Sequence, residues 1–406
     1  MEKIEKRRVV LGITGSVAAY KSIDLARLLV ARGYEVRVVL SDSAQKFITS
    51  ALIEATVGRG VVTDFWSPAE DSEGIEHIDV ADWADVIVIS PATADVIAKI
   101  NLGMADTPLL AICLASRAPI LIAPAMNVNM LEHPATQKHI KELEEKGVSF
   151  VDPAEGVLAC GWTGAGRLAD SKEIFYHIRR KLSVPDLKDK HILITTGPTR
   201  ESIDPVRFIS NRSSGKMGVE LAREAFCRGA KVTLVHGPCT VDVPYPIECV
   251  PVITAEDMHQ KLMERVFEGD NKPDCVIMAA AVADFKPKQE SSQKLKKIDG
   301  TVPKSIDLLE NVDILASLGA KRGKSLSPIL VGFAVETGDL DELLAELRRK
   351  LETKKTDIMV GNFASEAFEL DTNRVWIVDR NGKTGEVTTT FKSRIANKVL
   401  DSIIKL

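Results

Sequence analysis

Val9-Val10-Leu11-Gly12-Ile13-Thr14-Gly15-Ser16 sets the fold of the first half of this chain, and His191-Ile192-Leu193-Ile194-Thr195 with Gly197-Pro198-Thr199 sets that of the second. Each is a short apolar run, which fits a strand covered on both faces, and each meets a glycine turn ahead of a helical pattern. In the first, the helix is predicted to run to about residue 32, with Gly33 as its C-cap and a second strand over 36–40. In the second, a polar loop leads to a helix over about 216–227, Gly229 closes it, and 232–235 is the next strand. Two β-loop-α-β units imply two open parallel sheets joined by right-handed crossovers.

Further apolar runs of strand length fall at 86–90, 120–123, 148–151, 275–279, 329–333, 358–360 and 375–378. A chain of 406 residues suits two domains of about 150 to 250 residues, and the polar stretch 183–189 around Pro185 marks the break. The expected domains are 1–190 and 191–406. Hydrophobic residues make up 45%, charged residues 27%, and the net charge is −4, a balance without the field that nucleic acid or an anionic membrane would require of a partner. The opening residues carry no apolar signal-like region, and no stretch approaches the roughly 20 apolar residues of a membrane span. A cytoplasmic protein is expected.

Six cysteines, at 113, 160, 227, 239, 249 and 275, form no CxxC pair and have no histidine at ligand spacing, so neither zinc nor a disulfide framework is expected. Five read as small buried residues. Cys160 lies instead in Leu158-Ala159-Cys160-Gly161-Trp162-Thr163-Gly164-Ala165-Gly166-Arg167, where three glycines build little core and a thiol can reach a ligand and exchange protons.

Neither unit carries GxGxxG, so a dinucleotide is disfavoured while a mononucleotide at a helix N-terminus stays open. Gly15-Ser16-Val17 is either a tight turn with an N-capping serine or a cradle for phosphate. Ser90-Pro91-Ala92-Thr93-Ala94-Asp95 and Pro124-Ala125-Met126-Asn127 also follow strand ends and would share that sheet edge, where open α/β folds bind ligands. Asn127 equally suits a loop cap, and His77 alone reads as a surface or core-edge histidine. In the second half, Asn211-Arg212-Ser213-Ser214-Gly215-Lys216-Met217-Gly218 lacks the first glycine of a Walker A loop, although its donors could hold an anion. Asp284, just past a strand end, is placed to accept a ribose hydroxyl. Lys294-Leu295-Lys296-Lys297 reads as a solvated loop. Lys350 and Lys354, four apart on one helix face, are an ordinary exposed pair or a clamp for phosphates.

In this order, Gly15-Ser16, Pro91-Ala92-Thr93-Ala94-Asp95, Pro124-Ala125-Met126-Asn127 and Ala159-Cys160-Gly161 resemble the flavin-binding cysteine decarboxylases. Gly197-Pro198-Thr199-Arg200, the 211–218 loop, 279–284, 294–297 and Val331-Gly332-Phe333-Ala334-Val335-Glu336-Thr337 resemble the ligase half of the bacterial bifunctional phosphopantothenoylcysteine decarboxylase / phosphopantothenate-cysteine ligase family. Together these stretches cover essentially the whole chain. The resemblance implies an α/β fold of two Rossmann-like open parallel-sheet domains, the first of flavin-binding cysteine decarboxylase type. It implies ligation of cysteine to 4′-phosphopantothenate using CTP and Mg2+ through an acyl-cytidylate, then FMN-dependent decarboxylation to 4′-phosphopantetheine.

By the same resemblance FMN would lie against Gly15, Ser16, Val17, Ser41, Thr93, Ala94, Asp95 and Ala125. His77 would assist proton removal, Asn127 would hold the substrate carboxylate, and Cys160 would return a proton. CTP would meet Asp284, Val312, Asp313, Ile314, Leu315 and Phe333 through its nucleoside, and Lys294, Lys350 and Lys354 through its phosphates. Asn211 would assist conversion of the acyl-cytidylate; no metal ligand is named. Leu168 and Val312 depart from the methionine and proline common in relatives. The implied assembly is a homo-oligomer with trimeric decarboxylase and dimeric ligase contacts. A flavin prenyltransferase would need neither Cys160 nor a second domain, a non-catalytic flavin-binding subunit would not need His77, Asn127 and Cys160 together, and a nicotinamide dehydrogenase would need GxGxxG.

Overall fold

A computed structural model of the chain describes residues 7–66, 76–158, 161–239, 241–242, 247–295, 305–364 and 370–406; Cys160, Lys296 and Lys297 lie outside them. The chain divides into two compact units, Met1–Ser183 and Val184–Leu406. Residues 184–190, expected in the first half, are held by the second. The Leu187 N–H donates to Arg228 O at 3.0 Å, and the Arg228 guanidinium grips Asp186 at 2.6 and 2.8 Å.

In the first unit β1 (Arg8–Ile13), β2 (Glu35–Leu40), β3 (Val61–Val62), β4 (Val86–Ala92), β5 (Ile120–Pro124) and β6 (Ser149–Phe150) form a parallel sheet in the order β3-β2-β1-β4-β5-β6. Around it run α1 (Lys21–Ala31), α2 (Ser50–Val57), α3 (Glu76–Trp83), α4 (Ala94–Asn101), α5 (Pro108–Ala115), α6 (Val128–Glu132), α7 (Pro134–Glu145) and α8 (Ser171–Leu182). Strand side chains alternate between faces, so Val9, Leu11 and Ile13 enter one core with Leu25 and Leu29 of α1 and Ile174 and Ile178 of α8. Val10 enters the other with Ile97, Leu110 and Leu143. Gly12 points the same way as Val10, and a Cβ there would stand 2.5 Å from Leu109 Cδ1. Covering both faces is what demands an almost unbroken apolar run.

Strand order reverses between β1 and β4, which opens a crevice between their carboxyl ends. Thr14 bridges it: its hydroxyl donates to Pro91 O at 2.7 Å and accepts from the Thr93 N–H at 3.1 Å. The helix expected straight after Gly15 begins later. Val17–Tyr20 is a 3-10 turn capped by Ser16, whose Oγ accepts from the Ala18 N–H at 3.3 Å, and α-helix starts at Lys21. After β6, the antiparallel hairpin β7 (Ala154–Val157) and β8 (Thr163–Arg167) packs on the loop after β5, with the Met126 N–H donating to Gly166 O at 3.0 Å. Gly166 has φ +141°, and a Cβ there would stand 2.3 Å from Met126 O.

The second unit contains β9 (His191–Thr196), β10 (Arg200–Ser202), β11 (Phe208–Ser210), β12 (Lys231–His236), β13 (Glu248–Pro251), β14 (Cys275–Met278), β15 (Phe285–Pro287), β16 (Leu308–Glu310), β17 (Ile329–Glu336), β18 (Ile358–Phe363), β19 (Thr372–Asp379) and β20 (Thr384–Phe391). Its main sheet has the order β13-β12-β9-β14-β17-β18-β19-β20. On one face α10 (Ala255–Met263), α11 (Ile314–Arg322) and α12 (Leu340–Thr353) bury Met258, Leu318, Leu343 and Leu347 against Leu193, Val276, Leu330 and Met359. On the other, α9 (Lys216–Cys227) packs against β9 and against α13 (Lys392–Ile404). The sheet is not wholly parallel, as the sequence suggested. β19 runs antiparallel to β18, and β20 runs antiparallel to β19 because the chain reverses after β19 in a tight turn whose Asp379 Oδ1 accepts from the Asn381 and Lys383 N–H groups at 2.9 and 3.0 Å. Among the described residues no helix is long and apolar enough to cross a membrane.

Candidate active sites

In the first unit a cavity of about 530 Å³ opens at the carboxyl ends of β1 and β5, beside the β7–β8 hairpin. Ser16, Val17, Ala125 and Asn127 of the expected set line it, with Lys21, Met126, Leu158 and Arg167. Asn127 is the N-cap of α6, its Oδ1 accepting from the Asn129 N–H at 2.8 Å. That fixes the side chain, whose amide NH2, a double donor, is the group suited to a carboxylate.

The other expected flavin contacts stand on the same edge outside the lining. Gly15 brings the turn after β1 against the loop after β2, where a Cβ would stand 2.3 Å from Ser43 Cβ. In that loop Ser41 Oγ accepts from the Ala44 N–H at 3.2 Å. Thr93 caps α4 by accepting from the Val96 N–H at 3.4 Å, Ala94 opens the helix, and Asp95 pairs with Lys99 at 3.4 Å. His77, in α3, is half-buried and meets the Phe65 ring edge-on at 5.5 Å, away from the cavity lining.

In the second unit a cavity of about 450 Å³ opens at the carboxyl ends of β14, β17 and β18 and the start of α9. Asn211, Asp284, Val312, Asp313, Ile314, Leu315, Phe333, Lys350 and Lys354 all line it. Asn211 braces the wall, its amide donating to Ala281 O at 3.1 Å and Val282 O at 3.0 Å. Asp313 caps α11 through Oδ1 and holds Lys354 Nζ at 2.9 Å through Oδ2. Lys350 lies 2.8 Å from Glu336 and 3.2 Å from Glu346. Burial alone would lower Lys350, but those carboxylates outweigh it and hold the ammonium above its ordinary value. Lys294 does not line the cavity. It is exposed, and the next residue anchors the chain elsewhere, the Leu295 N–H donating to Asp204 Oδ2 at 3.2 Å.

Sequence reading passed over Asn311, Asn362, Asn373 and Lys392, which share this wall with Lys216 of the 211–218 loop. Asn362 and Asn373 are 4% and 5% exposed, a burial that asks for polar partners. They come from the antiparallel pair β18 and β19, whose pairing carried no local motif to announce it. Among the described residues no cluster of His, Cys, Asp and Glu could hold a metal ion.

Two consecutive α/β units, each with a crevice at the carboxyl edge of its sheet, make a two-domain, two-site protein, and its relatives give the class. Residues 1–183 match the flavoprotein family, and residues 187–406 match the DNA/pantothenate metabolism flavoprotein C-terminal domain. The chain is 41% identical over 411 residues to the coenzyme A biosynthesis bifunctional protein CoaBC of Bacillus subtilis, covering 99% of this chain and 98% of that protein. To the CoaBC protein of Vibrio vulnificus YJ016 it is 41% identical over 406 residues, with the same coverage. To that of Mycobacterium tuberculosis H37Rv it is 39% identical over 412 residues, covering 98% and 96%. The chain belongs to this family of bifunctional coenzyme A biosynthesis proteins.

Proposed function

We propose that the two activities of this bifunctional enzyme are divided between its units: the first is the FMN-dependent phosphopantothenoylcysteine decarboxylase, the second the CTP-dependent phosphopantothenate-cysteine ligase. What supports the division is the contrast between the walls. The second cavity gathers Lys216, Lys350, Lys354 and Lys392 against Asp284 and Asp313, a surplus of cations suited to polyphosphate. The first is an apolar-sided slot at a strand-order reversal, with Met126, Val157 and Leu168 for a flat ring and the Ser16 turn for a phosphate. The residues present therefore fit FMN, with Gly15, Ser16, Val17, Ser41, Thr93, Ala94, Asp95 and Ala125 as its cradle.

When bound, FMN would supply the two-electron oxidation of the cysteinyl thiol that gives the departing carboxylate's electrons a sink, and would return the same two electrons when the enethiolate is reduced to the product thiol. The chain's own residues place and protonate. The Asn127 amide donates to the substrate carboxylate, His77 takes the proton released on oxidation, and Cys160 gives one back to the enethiolate. In the second unit the 4′-phosphopantothenate carboxylate attacks the α-phosphorus of CTP, and the bond to pyrophosphate breaks. The cysteine amine then attacks the acyl carbon and CMP leaves. Asp284 takes the ribose, Phe333 and residues 312–315 take the base, and Lys294, Lys350 and Lys354 meet the phosphates. Asn211, already bracing the 281–282 carbonyls, faces the acyl-cytidylate. Mg2+ would be held chiefly by the triphosphate, whose charge it would neutralise, since this ion commonly keeps few protein ligands.

The enzyme is expected to work in the cytoplasm as a homo-oligomer, with decarboxylase units in trimeric and ligase units in dimeric contact. Exposed Tyr20 and Phe47 in the first unit and Val206 and Phe208 in the second are apolar groups that such contacts would cover. Purified protein should carry extractable FMN and release CMP only with phosphopantothenate, CTP and cysteine together. A protein left colourless after reconstitution with excess FMN would sink the first assignment, and absent CMP release the second.

A further inference from the structure

Two cations of the first cavity have no role yet. Lys21 opens α1 and Arg167 ends β8, and both line the same cavity of about 530 Å³. Its lining contains no aspartate or glutamate among the described residues. Nor does either side chain find a hydrogen-bond or ion-pair partner among the described residues. The lysines of the second cavity differ, since Lys350 and Lys354 are held by Glu336, Glu346 and Asp313.

The backbone under each charge is fixed. The Lys21 N–H donates to Ala18 O and Ala19 O where the 3-10 turn meets α1. Arg167 stands between Gly166, whose carbonyl accepts from the Met126 N–H at 3.0 Å, and Leu168, which is 3% exposed. Its guanidinium lies across the bare backbone of Gly156 in β7, where a Cβ would stand 2.6 Å from Nη1. Two cations without a carboxylate make a standing positive field beside the apolar walls of Val17, Met126, Leu158 and Leu168. A phosphate monoester, which carries nearly two negative charges at neutral pH, balances that field, and its oxygens suit the guanidinium fork.

We propose that Lys21 and Arg167 together form a phosphate subsite of this cavity and give the first unit its preference for a phosphorylated ligand. The subsite rests on the decarboxylase reading above. Its ligand is a phosphate monoester from one of two sources, the 5′-phosphate of FMN or the 4′-phosphate of phosphopantothenoylcysteine.

The test uses the full-length protein with Lys21→Gln, Arg167→Gln, both together, and the charge-keeping Lys21→Arg and Arg167→Lys. Decarboxylation of phosphopantothenoylcysteine is compared with that of pantothenoylcysteine, which lacks only the phosphate. Release of FMN on dilution, read by flavin fluorescence, is compared with release of riboflavin. Loss of one charge-assisted contact should weaken the affected constant about tenfold to a hundredfold. Lys21→Arg should recover most of that loss and Arg167→Lys a part, because lysine lacks the fork. A higher KM for phosphopantothenoylcysteine in both glutamine variants, with pantothenoylcysteine and FMN retention unchanged, places the 4′-phosphate here. A higher dissociation constant for FMN in both, with riboflavin unchanged, places the flavin phosphate here. In either case the double variant should treat the phosphorylated and unphosphorylated forms alike. Glutamine variants that keep both parental preferences overturn the proposal, even if kcat or stability falls, and so does an effect confined to one residue or divided between the two phosphates. Melting curves check the fold of each variant, and if Arg167→Gln does not fold, Arg167→Lys and Lys21→Gln decide. A parental protein that decarboxylates neither substrate sinks the decarboxylase reading and this subsite with it, whereas an active parent matched in both preferences by the glutamine variants sinks only the subsite.

Discussion

The cavity of the first unit is bounded by Val17, Met126, Leu158 and Leu168, with Lys21 and Arg167 as its charged residues, whereas that of the second collects four lysines and two aspartates. Both sit at the carboxyl edge of an open α/β sheet. The architecture is shared, so the walls record the difference in chemistry. A cofactor that carries the electrons needs orientation, an apolar wall and a few placed proton donors. A nucleotide whose phosphorus is attacked brings its own negative charge, and the protein must supply cations where more develops.

If that contrast holds, substitutions should separate cleanly by unit. The largest effect is expected for Cys160→Ser, because a hydroxyl is a much poorer proton donor than a thiol. Yield of 4′-phosphopantetheine should fall about a hundredfold or more, while first-turnover CO2 release and the ligase rate persist; normal yield would leave the thiol no proton-donor role. Next comes Lys294→Gln, which keeps length and removes a point charge. Pyrophosphate release should drop about a hundredfold to a thousandfold with decarboxylation unchanged. A parental rate would mean that the lysine outside the described wall stays outside it during turnover.

Two smaller effects test the frames and not the chemistry. At Gly218 a Cβ would stand 2.4 Å from Thr196 Oγ1 and 2.9 Å from Thr195 O, where α9 crosses β9. Gly218→Ala should cost about 1–3 kcal/mol, seen as faster amide exchange in α9 and β9 with the first unit unaffected. In the first unit burial, then Asp152 and Asp170, raise the Glu173 carboxyl from 4.5 to about 7. A proton held more tightly in the folded state stabilises below the ordinary value, and that contribution is lost as pH rises through about 7. His177, kept neutral down to about 4 chiefly by burial, acts in the opposite direction, loosening the fold as pH falls. The difference between the parental and Glu173→Gln melting curves therefore isolates Glu173. The variant should gain up to about 3 kcal/mol well above pH 7 and little in acid, and equal curves at every pH would remove the carboxyl from the stability of this unit.

Much of the fold could be read from local pattern. The apolar runs at 9–13 and 191–195 became β1 and β9, and the helix expected over 216–227 is α9 (Lys216–Cys227), closed by Gly229 at φ +97°. The reversal after β19 was also present, as Asn381-Gly382 with Gly382 at φ +80°, a hairpin signal that the sequence reading left unused. β20 itself is harder to see, because most of its residues face solvent and no apolar run marks it.

What the chain dictates residue by residue is therefore the position of strands, turns and caps, since these depend on side-chain period and backbone freedom over a few neighbours. Nine of the expected nucleotide residues meet in one cavity because they lie at the carboxyl ends of strands, or on helices beside them, in a sheet that the sequence implied. The direction of β19, the burial of Asn362 and Asn373, and the inward turn of Lys392 had no such local cause. Phe391-Lys392-Ser393 reads as the exposed start of a helix. Only the packing of α13 against α9 brings Lys392 into the same wall as Lys216, because a charge environment is made by groups close in space, and these two lysines are separated along the chain by nine strands and three helices among the described residues of the second unit.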